Sequence, residues 1–146
     1  MSPLPGPEPQ LAPIVDAALA GARAVMAVYR TDFCVERKAD DSPVSEADRS
    51  AEAAILARLS AAMPDVPVVA EEAVAAGEVP AIGARFFLVD PLDGTKEFVS
   101  RNGEFTVNIA LIEDGDPIMG VVLAPVLGLA FAAGPCGAWK SRTDEA

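Results

Sequence analysis

Two aspartates, Asp90 and Asp93, lie in the stretch of this sequence best suited to chemistry. They follow a run of apolar residues at 86–89 that is typical of a buried strand. Gly94 and Thr95 come next and indicate a turn into a short helix. Carboxylates are the ligands that hard divalent cations prefer, and backbone N–H groups at a helix start can receive phosphate oxygens. The spacing therefore indicates a place where cations and a phosphate group meet.

Two further acidic residues and one carbonyl lie where a metal site could use them. Asp48 lies early in a predicted helix, Glu71 follows a predicted strand, and the turn pushes the Leu92 carbonyl toward Asp90 and Asp93. The 146-residue chain contains no histidine, and its two cysteines have no metal-ligand spacing. An all-oxygen set of this kind favours Mg²⁺ over zinc or copper.

These residues would suit the hydrolysis of a phosphate ester. Two cations a few ångströms apart would orient a water molecule and steady a leaving oxygen. The Thr95 hydroxyl could hold that water, with Asp48 accepting its proton, while the N–H groups of Gly94 and Thr95 receive phosphate oxygens. In an acidic chain, an isolated D-x-x-D pattern usually forms a turn or a solvated loop. The position between a buried strand and a helix start makes the pattern much more specific.

The composition of the chain is both acidic and apolar. A net charge of −11 argues against binding to a nucleic-acid backbone, which requires a basic surface. No apolar run reaches the ~18 residues of a membrane-spanning helix. The absence of histidine excludes Ser-His-Asp triads and histidine bases. Hydrophobic residues make up 51% of the chain, which suggests a surface that expects a partner or a missing segment.

The apolar spacing predicts an α+β fold in which two N-terminal helices pack on one face of a mostly antiparallel sheet. The helices are predicted at residues 11–30 and 46–62, with Ser45 and Asp48 forming a variant capping box at the second. One domain is expected at 11–140, after a Pro-rich tail at 1–10 and before a polar, frayed end at 141–146. Strands are predicted at residues 33–38, 66–70, 86–89, 105–112, 117–124, 128–133 and 137–140.

Three motifs of the sequence resemble those of one phosphatase superfamily. The motif D-P-L-D-G-T at 90–95 resembles the signature of the inositol monophosphatase superfamily of magnesium-dependent, lithium-sensitive phosphatases. The motifs E-E at 71–72 and P-V-S-E-A-D at 43–48 are similar to its other N-terminal motifs. The resemblance covers about residues 11–140 and implies the N-terminal half of the layered inositol-monophosphatase/sugar-phosphatase fold.

Further motifs resemble one branch of that superfamily. The stretches at 38–44, 95–98 and 101–111 are similar to the CysQ-type 3'(2'),5'-bisphosphate nucleotidases. The resemblance implies hydrolysis of 3'-phosphoadenosine 5'-phosphate to AMP and phosphate by metal-activated water, as a step of sulfur metabolism. Inositol monophosphatases proper tend to have asparagine where this chain has Lys96 and Glu97. An inositol or sugar monophosphatase is therefore the alternative within the enzyme class.

The resemblance also implies roles for individual residues. Asp48 and Thr95 match the water-activating pair of the family, and Gly94 with Thr95 matches its phosphate-binding turn, with Glu71 also expected at the substrate. Lys38, Lys96 and Arg101 are candidates for charge near the substrate, although surface solvation or local ion pairs explain them equally well. Four positions match its Mg²⁺ ligands: Glu71, Asp90, the Leu92 carbonyl and Asp93.

The chain departs from the family pattern in its length. Family members continue into a C-terminal α/β domain with a Trp-Asp motif, whose aspartate is a further metal ligand. The single tryptophan here, Trp139, matches an N-terminal-half strand, so we expect that C-terminal domain to be absent from this chain. The alternative to an active phosphatase is therefore a catalytically incompetent N-terminal fragment. The expected partner is a second copy or the missing half, and the expected location is the cytoplasm or the inner membrane face.

Overall fold

A computed structural model of the chain describes residues 11–31, 43–70 and 83–143. Within these ranges the helices lie on a single six-stranded sheet of order β1-β2-β3-β4-β5-β6. β1 and β2 are parallel, and every later neighbouring pair is antiparallel. The predicted α+β class and mostly antiparallel sheet are confirmed. The elements are α1 (Leu11–Tyr29), α2 (Pro43–Ala62), β1 (Val68–Ala70), β2 (Arg85–Asp93), α3 (Thr95–Ser100), β3 (Thr106–Glu113), β4 (Asp116–Ala124), β5 (Leu129–Gly134) and β6 (Gly137–Arg142).

The first helix is an apolar core element. Its buried positions recur at helical spacing and include Ile14, Ala18, Ala22 and Val25, each with no exposed surface. By length and composition alone α1 would be long and apolar enough to cross a membrane. It packs instead against α2 and the sheet, and 61% of its most apolar window is buried inside the molecule. The apolar character of α1 is therefore accounted for by the core.

The second helix begins earlier than predicted. It starts at Pro43 rather than at residue 46, so Ser45 is its third residue and the predicted capping box is wrong. Proline suits the first helical position because its missing N–H is one that the first turn leaves without an intrahelical acceptor. The buried side of α2 carries Asp48 alongside apolar residues such as Ile55 and Leu59.

The two faces of the sheet differ in their cover. Residues such as Phe87, Val107 and Leu123 point into the core beneath α1 and α2 and have no exposed surface. The opposite face, called here the open face, carries the side chains that alternate with them. Cross-strand pairing joins one row of this face across five strands: Asp90, Asn108, Val122, Phe131 and Lys140. The row borders a shallow concavity of about 870 Å³.

The last strand extends past its predicted end. β6 continues to Arg142, so Ser141 and Arg142 are strand residues rather than part of the expected frayed end. Thr143 then donates its backbone N–H to the carbonyl of Gly128 at 2.8 Å and is only 8% exposed. The predicted strand at 33–38 and the predicted tail at 1–10 lie outside the described residues.

Candidate active site

A β-bulge brings Asp90 and Asp93 to the same face of the sheet. Asp90 pairs with Asn108, whereas Asp93 pairs with Thr106. Between these two pairs β2 advances by three residues and β3 by two, so β2 contains one extra residue. In a regular strand, side chains three positions apart point to opposite faces. The extra residue cancels that alternation and turns the local backbone. Both carboxylates therefore lie on the open face, beside β3.

The bulge occupies the Pro91–Leu92 dipeptide, and its sequence explains why it forms there. Proline has no N–H for the strand ladder, and inside sheets it is found mainly on edges and at bulges. Pro91 and Leu92 are consecutive buried residues, unlike the alternating pattern before them. The prediction that the strand ends before Asp90 is wrong, because β2 continues through this bulge to Asp93.

A side-chain hydrogen bond fixes the position of Asp93. Nδ2 of Asn108 donates to Oδ2 of Asp93 over 3.0 Å. Oδ1 of Asn108 is buried, and no group in the part of the chain that the structure describes donates a hydrogen bond to it. The site thus contains two carboxylates and an amide on two neighbouring strands.

Gly94 makes the turn from β2 into α3 with a backbone that favours glycine. Its φ and ψ are 105° and 54°, in the left-handed region. A Cβ atom there would lie 3.1 Å from Oε1 of Glu97 and 3.3 Å from Cα of Phe105. The carbonyl of Gly94 accepts the first helical hydrogen bond, from N–H of Phe98 at 2.9 Å. The exposed Thr95 is consequently held at the first position of α3.

An aromatic cluster anchors the helix that follows this turn. Phe98 of α3 lies 5.3 Å from both Tyr29 and Phe105, measured between ring centroids, and Tyr29 lies 4.9 Å from Phe105. Phe98 and Phe105 have no exposed surface. Tilted and edge-on contacts at these distances are the favoured aromatic geometries. The cluster ties α3 to the C-terminal end of α1.

Asp48 lies on the neighbouring helix α2. It is only 5% exposed, which is unusual for a carboxylate, and lies in the first turns of α2. α2 packs against β2 and also contacts α3, the two elements that carry Asp93 and Thr95. Asp48 is therefore a buried carboxylate on a helix that contacts both of these elements, on the helix-covered side of the sheet.

The structure describes only some of the predicted metal ligands. Glu71 lies outside the described residues, so its role as a metal and substrate ligand stays a prediction. No group of three acidic, histidine or cysteine side chains forms a metal cluster within residues 11–31, 43–70 and 83–143. The described part of the site still suits a hard cation. It has two carboxylates on one face, a buried amide oxygen of Asn108, and no nitrogen or sulfur donor.

The three basic residues predicted to lie near the substrate differ in what the structure shows of them. The Arg101 guanidinium donates to the carbonyl oxygens of Tyr29 at 3.0 Å and Thr31 at 2.6 Å, and stacks 5.5 Å from the centre of the Tyr29 ring. Arg101 therefore caps α1, which accounts for its charge without a substrate. Lys96 is exposed on α3. Lys38 is outside the described residues.

Sequence reasoning missed the role of Asn108. The alternation of β3 places Asn108 between the buried Val107 and Ile109, on the face shared with Thr106. Asparagine is depleted in strands, so its presence inside a strongly alternating strand was the available signal. Its bond to Asp93 depends on the bulge, which alternation alone does not show.

Comparison with known proteins defines the family. A family model for the inositol monophosphatase family matches residues 7–142. The chain belongs to this family, and over its matched part it is similar to relatives of the CysQ type.

Curated relatives of that type are closely similar over their matched part. The 3'(2'),5'-bisphosphate nucleotidase CysQ of Salmonella typhimurium (strain LT2) is 54% identical over 121 residues, which are 82% of this chain and 49% of that protein. The same-named protein of Escherichia coli (strain K12) is 52% identical over 121 residues, with the same coverage. The chain spans about half the length of the curated relatives it matches.

Solved structures share the fold. The crystal structure of CysQ from Bacteroides thetaiotaomicron superposes with a TM-score of 0.78 at 38% identity, covering 94% of this chain and 52% of that one. The extragenic suppressor protein suhB from Bartonella henselae gives a TM-score of 0.74 at 30% identity, covering 93% and 53%. The predicted layered fold is thus confirmed for the half that this chain spans.

Proposed function

We propose that this chain carries the metal-binding wall of a Mg²⁺-dependent phosphomonoesterase. Its substrate would be 3'-phosphoadenosine 5'-phosphate, and the products AMP and phosphate. The observation that carries the proposal is the bulge that sets Asp90 and Asp93 on one face, within a chain so similar to proteins named 3'(2'),5'-bisphosphate nucleotidase. The compartment expected for such a substrate is the cytoplasm, and the reaction would belong to sulfur metabolism.

The metal ligands we propose are Glu71, Asp90, Asp93 and the carbonyl oxygen of Leu92. Magnesium bound there would lower the pKa of a bound water and offset the charge of the phosphate group. Asn108 would keep the Asp93 carboxylate facing the site. All of these ligands are hard oxygen donors, as Mg²⁺ requires.

The remaining residues would handle the water and the phosphate. The exposed Thr95 hydroxyl would orient the attacking water, and the buried Asp48 carboxylate would accept its proton. As the water oxygen bonds to phosphorus, the bond between phosphorus and the 3' oxygen would break, and the 3' oxygen would take a proton from solvent water as it leaves. The backbone N–H groups of Gly94 and Thr95 would receive phosphate oxygens.

A second candidate is that these 146 residues bind the cation without turnover. Two observations favour it: the chain spans about half of its curated relatives, and the open face is apolar, with Leu88 and Val122 48% and 43% exposed. A cleft needs two walls, and this chain supplies one. The partner would then be a second copy or the remainder of the family's length. An inositol or sugar phosphate is the alternative substrate.

The decisive measurement is phosphate release with and without Mg²⁺. The full chain would be given 3'-phosphoadenosine 5'-phosphate and, separately, inositol 1-phosphate. Asp93→Asn removes a proposed ligand, and Asp114→Asn is its matched control, because Asp114 lies in the exposed β3–β4 turn with a φ of 54° that asparagine tolerates.

Each outcome separates the candidates. Mg²⁺-dependent release from the nucleotide, lost in Asp93→Asn and kept in Asp114→Asn, would support the phosphatase. Mn²⁺ binding that depends on Asp93 without phosphate release would support the non-catalytic candidate. Release from inositol 1-phosphate alone would change the substrate class. The absence of both Mn²⁺ binding and phosphate release would refute the proposal for this chain.

A further inference from the structure

Asn108 lies at the point where the two bulge carboxylates meet the neighbouring strand. It is the direct cross-strand partner of Asp90, and its side-chain nitrogen reaches Asp93 at 3.0 Å. Directly opposite residues of an antiparallel pair have Cβ atoms about 4.5–5.5 Å apart. The amide of Asn108 therefore lies between two carboxylates that are three residues apart in β2.

The chemistry of the amide sets its orientation. A carboxylate can only accept hydrogen bonds, so the NH₂ group of Asn108 must face Asp93 and the carbonyl oxygen must turn away. That oxygen, Oδ1, is buried, and no described residue donates a hydrogen bond to it. Buried amide oxygens usually have a partner. A water molecule bound to the cation would supply one.

We propose that Asn108 is a positioning residue that holds the Asp93 carboxylate for a divalent cation. The proposal rests on the function proposed above. The hydrogen bond occupies Oδ2 of Asp93 and restrains the rotation of an otherwise exposed side chain, which would leave Oδ1 to bind the ion. Hydrogen bonds to a metal ligand from groups that do not touch the metal fix the orientation of that ligand. Asn108 acts through Asp93 and is not itself assigned as a ligand.

The bulge is what makes this arrangement possible. Without the extra residue in β2, Asp93 would point to the helix-covered face, and the Asn108 amide could not reach it. Serine would be too short to span the distance, and leucine would fill the same space without a donor. The role therefore requires both the asparagine on β3 and the register shift on β2.

The test measures the affinity of the full chain for Mn²⁺, followed by the paramagnetic signal of the free ion. Asn108→Leu keeps the branching of the side chain at Cγ and removes the donor. Asn102→Ala is the matched control, because among the described residues the Asn102 side-chain oxygen accepts from N–H of Glu104, in its own turn. Titrations are run where thermal unfolding shows each variant to be fully folded. We expect the dissociation constant of Asn108→Leu to rise about 10–100-fold, and that of Asn102→Ala to stay within twofold of the wild type.

A second readout needs no metal. The side-chain NH₂ resonances of Asn108 should exchange slowly with water in the wild-type chain and quickly in Asp93→Ala, if the bond seen here forms in solution. Unchanged exchange would overturn the proposal.

The affinity results also separate this inference from the proposed function. Mn²⁺ binding that is lost in Asp93→Asn but unchanged in Asn108→Leu would overturn the role of Asn108 alone. An absence of Mn²⁺ binding in the wild-type chain would overturn both. A loss of stability in Asn108→Leu without a change in affinity would mark the residue as structural only, and so would also overturn it.

Discussion

Gly21 of α1 lies so close to Ile55 of α2 that a Cβ atom at position 21 would come 2.7 Å from Ile55 Cδ1. The same atom would lie 2.8 Å from Ile55 Cγ1 and 3.5 Å from Val107 Cγ1 of β3. Both helices and the sheet therefore meet at this glycine. Ile55 has no exposed surface, so any shift of its side chain must be made within the packed core.

We expect Gly21→Ala to destabilise the fold. Overpacking a filled core costs about 1–3 kcal/mol, and the better helix propensity of alanine offsets roughly 1 kcal/mol of it. The net loss should be about 1 kcal/mol in the free energy of unfolding, measured by urea denaturation. Gly83→Ala is the control, because no atom of the described residues, apart from its chain neighbours, lies within 4 Å of its added Cβ.

The contact with Ile55 can be tested separately. Ile55→Val removes Cδ1, the nearest atom, so the double variant should lose less stability than the sum of the two single variants. Simple additivity would show that the cost at position 21 arises elsewhere.

Gly94→Ala should cost more stability than the same change at Gly115. Both glycines have left-handed backbones, with φ of 105° and 86°, and this conformation costs other residues about 1–2 kcal/mol. An added Cβ at Gly94 also meets Glu104 and Phe105 at 3.3 Å, whereas at Gly115 no atom of the structure's described residues, apart from the chain neighbours, lies within 4 Å. Chemical denaturation gives the loss in free energy of unfolding for each variant. Because both share the cost of the left-handed backbone, the difference between the two losses reports the contacts at Gly94. Equal losses would mean that the contacts at the turn relax freely.

Arg101→Lys should loosen the link between α3 and the end of α1. Lysine keeps the charge but cannot donate from a planar fork to the carbonyls of Tyr29 and Thr31. Because Arg101 is exposed, we expect a loss of about 1 kcal/mol, below the usual range for charged hydrogen bonds. Arg142→Lys, on the exposed surface of β6, is the control in the same urea titration. A wild-type midpoint for Arg101→Lys would show that water replaces these bonds without loss.

The apolar open face should drive self-association of the chain. Leu88→Thr with Val122→Thr removes exposed apolar surface while keeping residues that suit a strand. Sedimentation velocity over a concentration series should show the wild type associating and the double variant shifting toward monomer. Leu127→Thr is the control, because Leu127 is 58% exposed but lies in the β4–β5 turn. A wild type that is monomeric throughout would contradict this expectation.

The fold followed closely from periodicity in the sequence. Apolar spacing placed α1 within one residue of its observed end, and the alternation at 105–112 predicted β3 almost in full. Such patterns are local, because helical and strand periods are properties of consecutive residues. The start of α2 at Pro43 was missed, because a polar residue three positions before an acid resembled a cap and outweighed the proline.

The candidate site was predictable as a set of residue types but not as a geometry. The motif around Asp90 and Asp93, its oxygen-only chemistry and its relation to a phosphatase family could all be read from the residues. Which face each carboxylate occupies could not, since regular alternation would have put them on opposite faces. Arg101 shows the same limit, because its carbonyl acceptors lie about seventy positions away in the chain.

The sequence alone thus determined the α+β class, the family and the acidic motif at the end of β2. Only the tertiary structure decided that Asp93 shares a face with Asp90, that Asn108 holds it, and that Arg101 caps α1. The physical reason is that residue type and hydrophobic periodicity are properties of consecutive residues, whereas strand register depends on hydrogen bonds to a neighbouring strand. One extra residue in β2, opposite β3, changes which side chains meet.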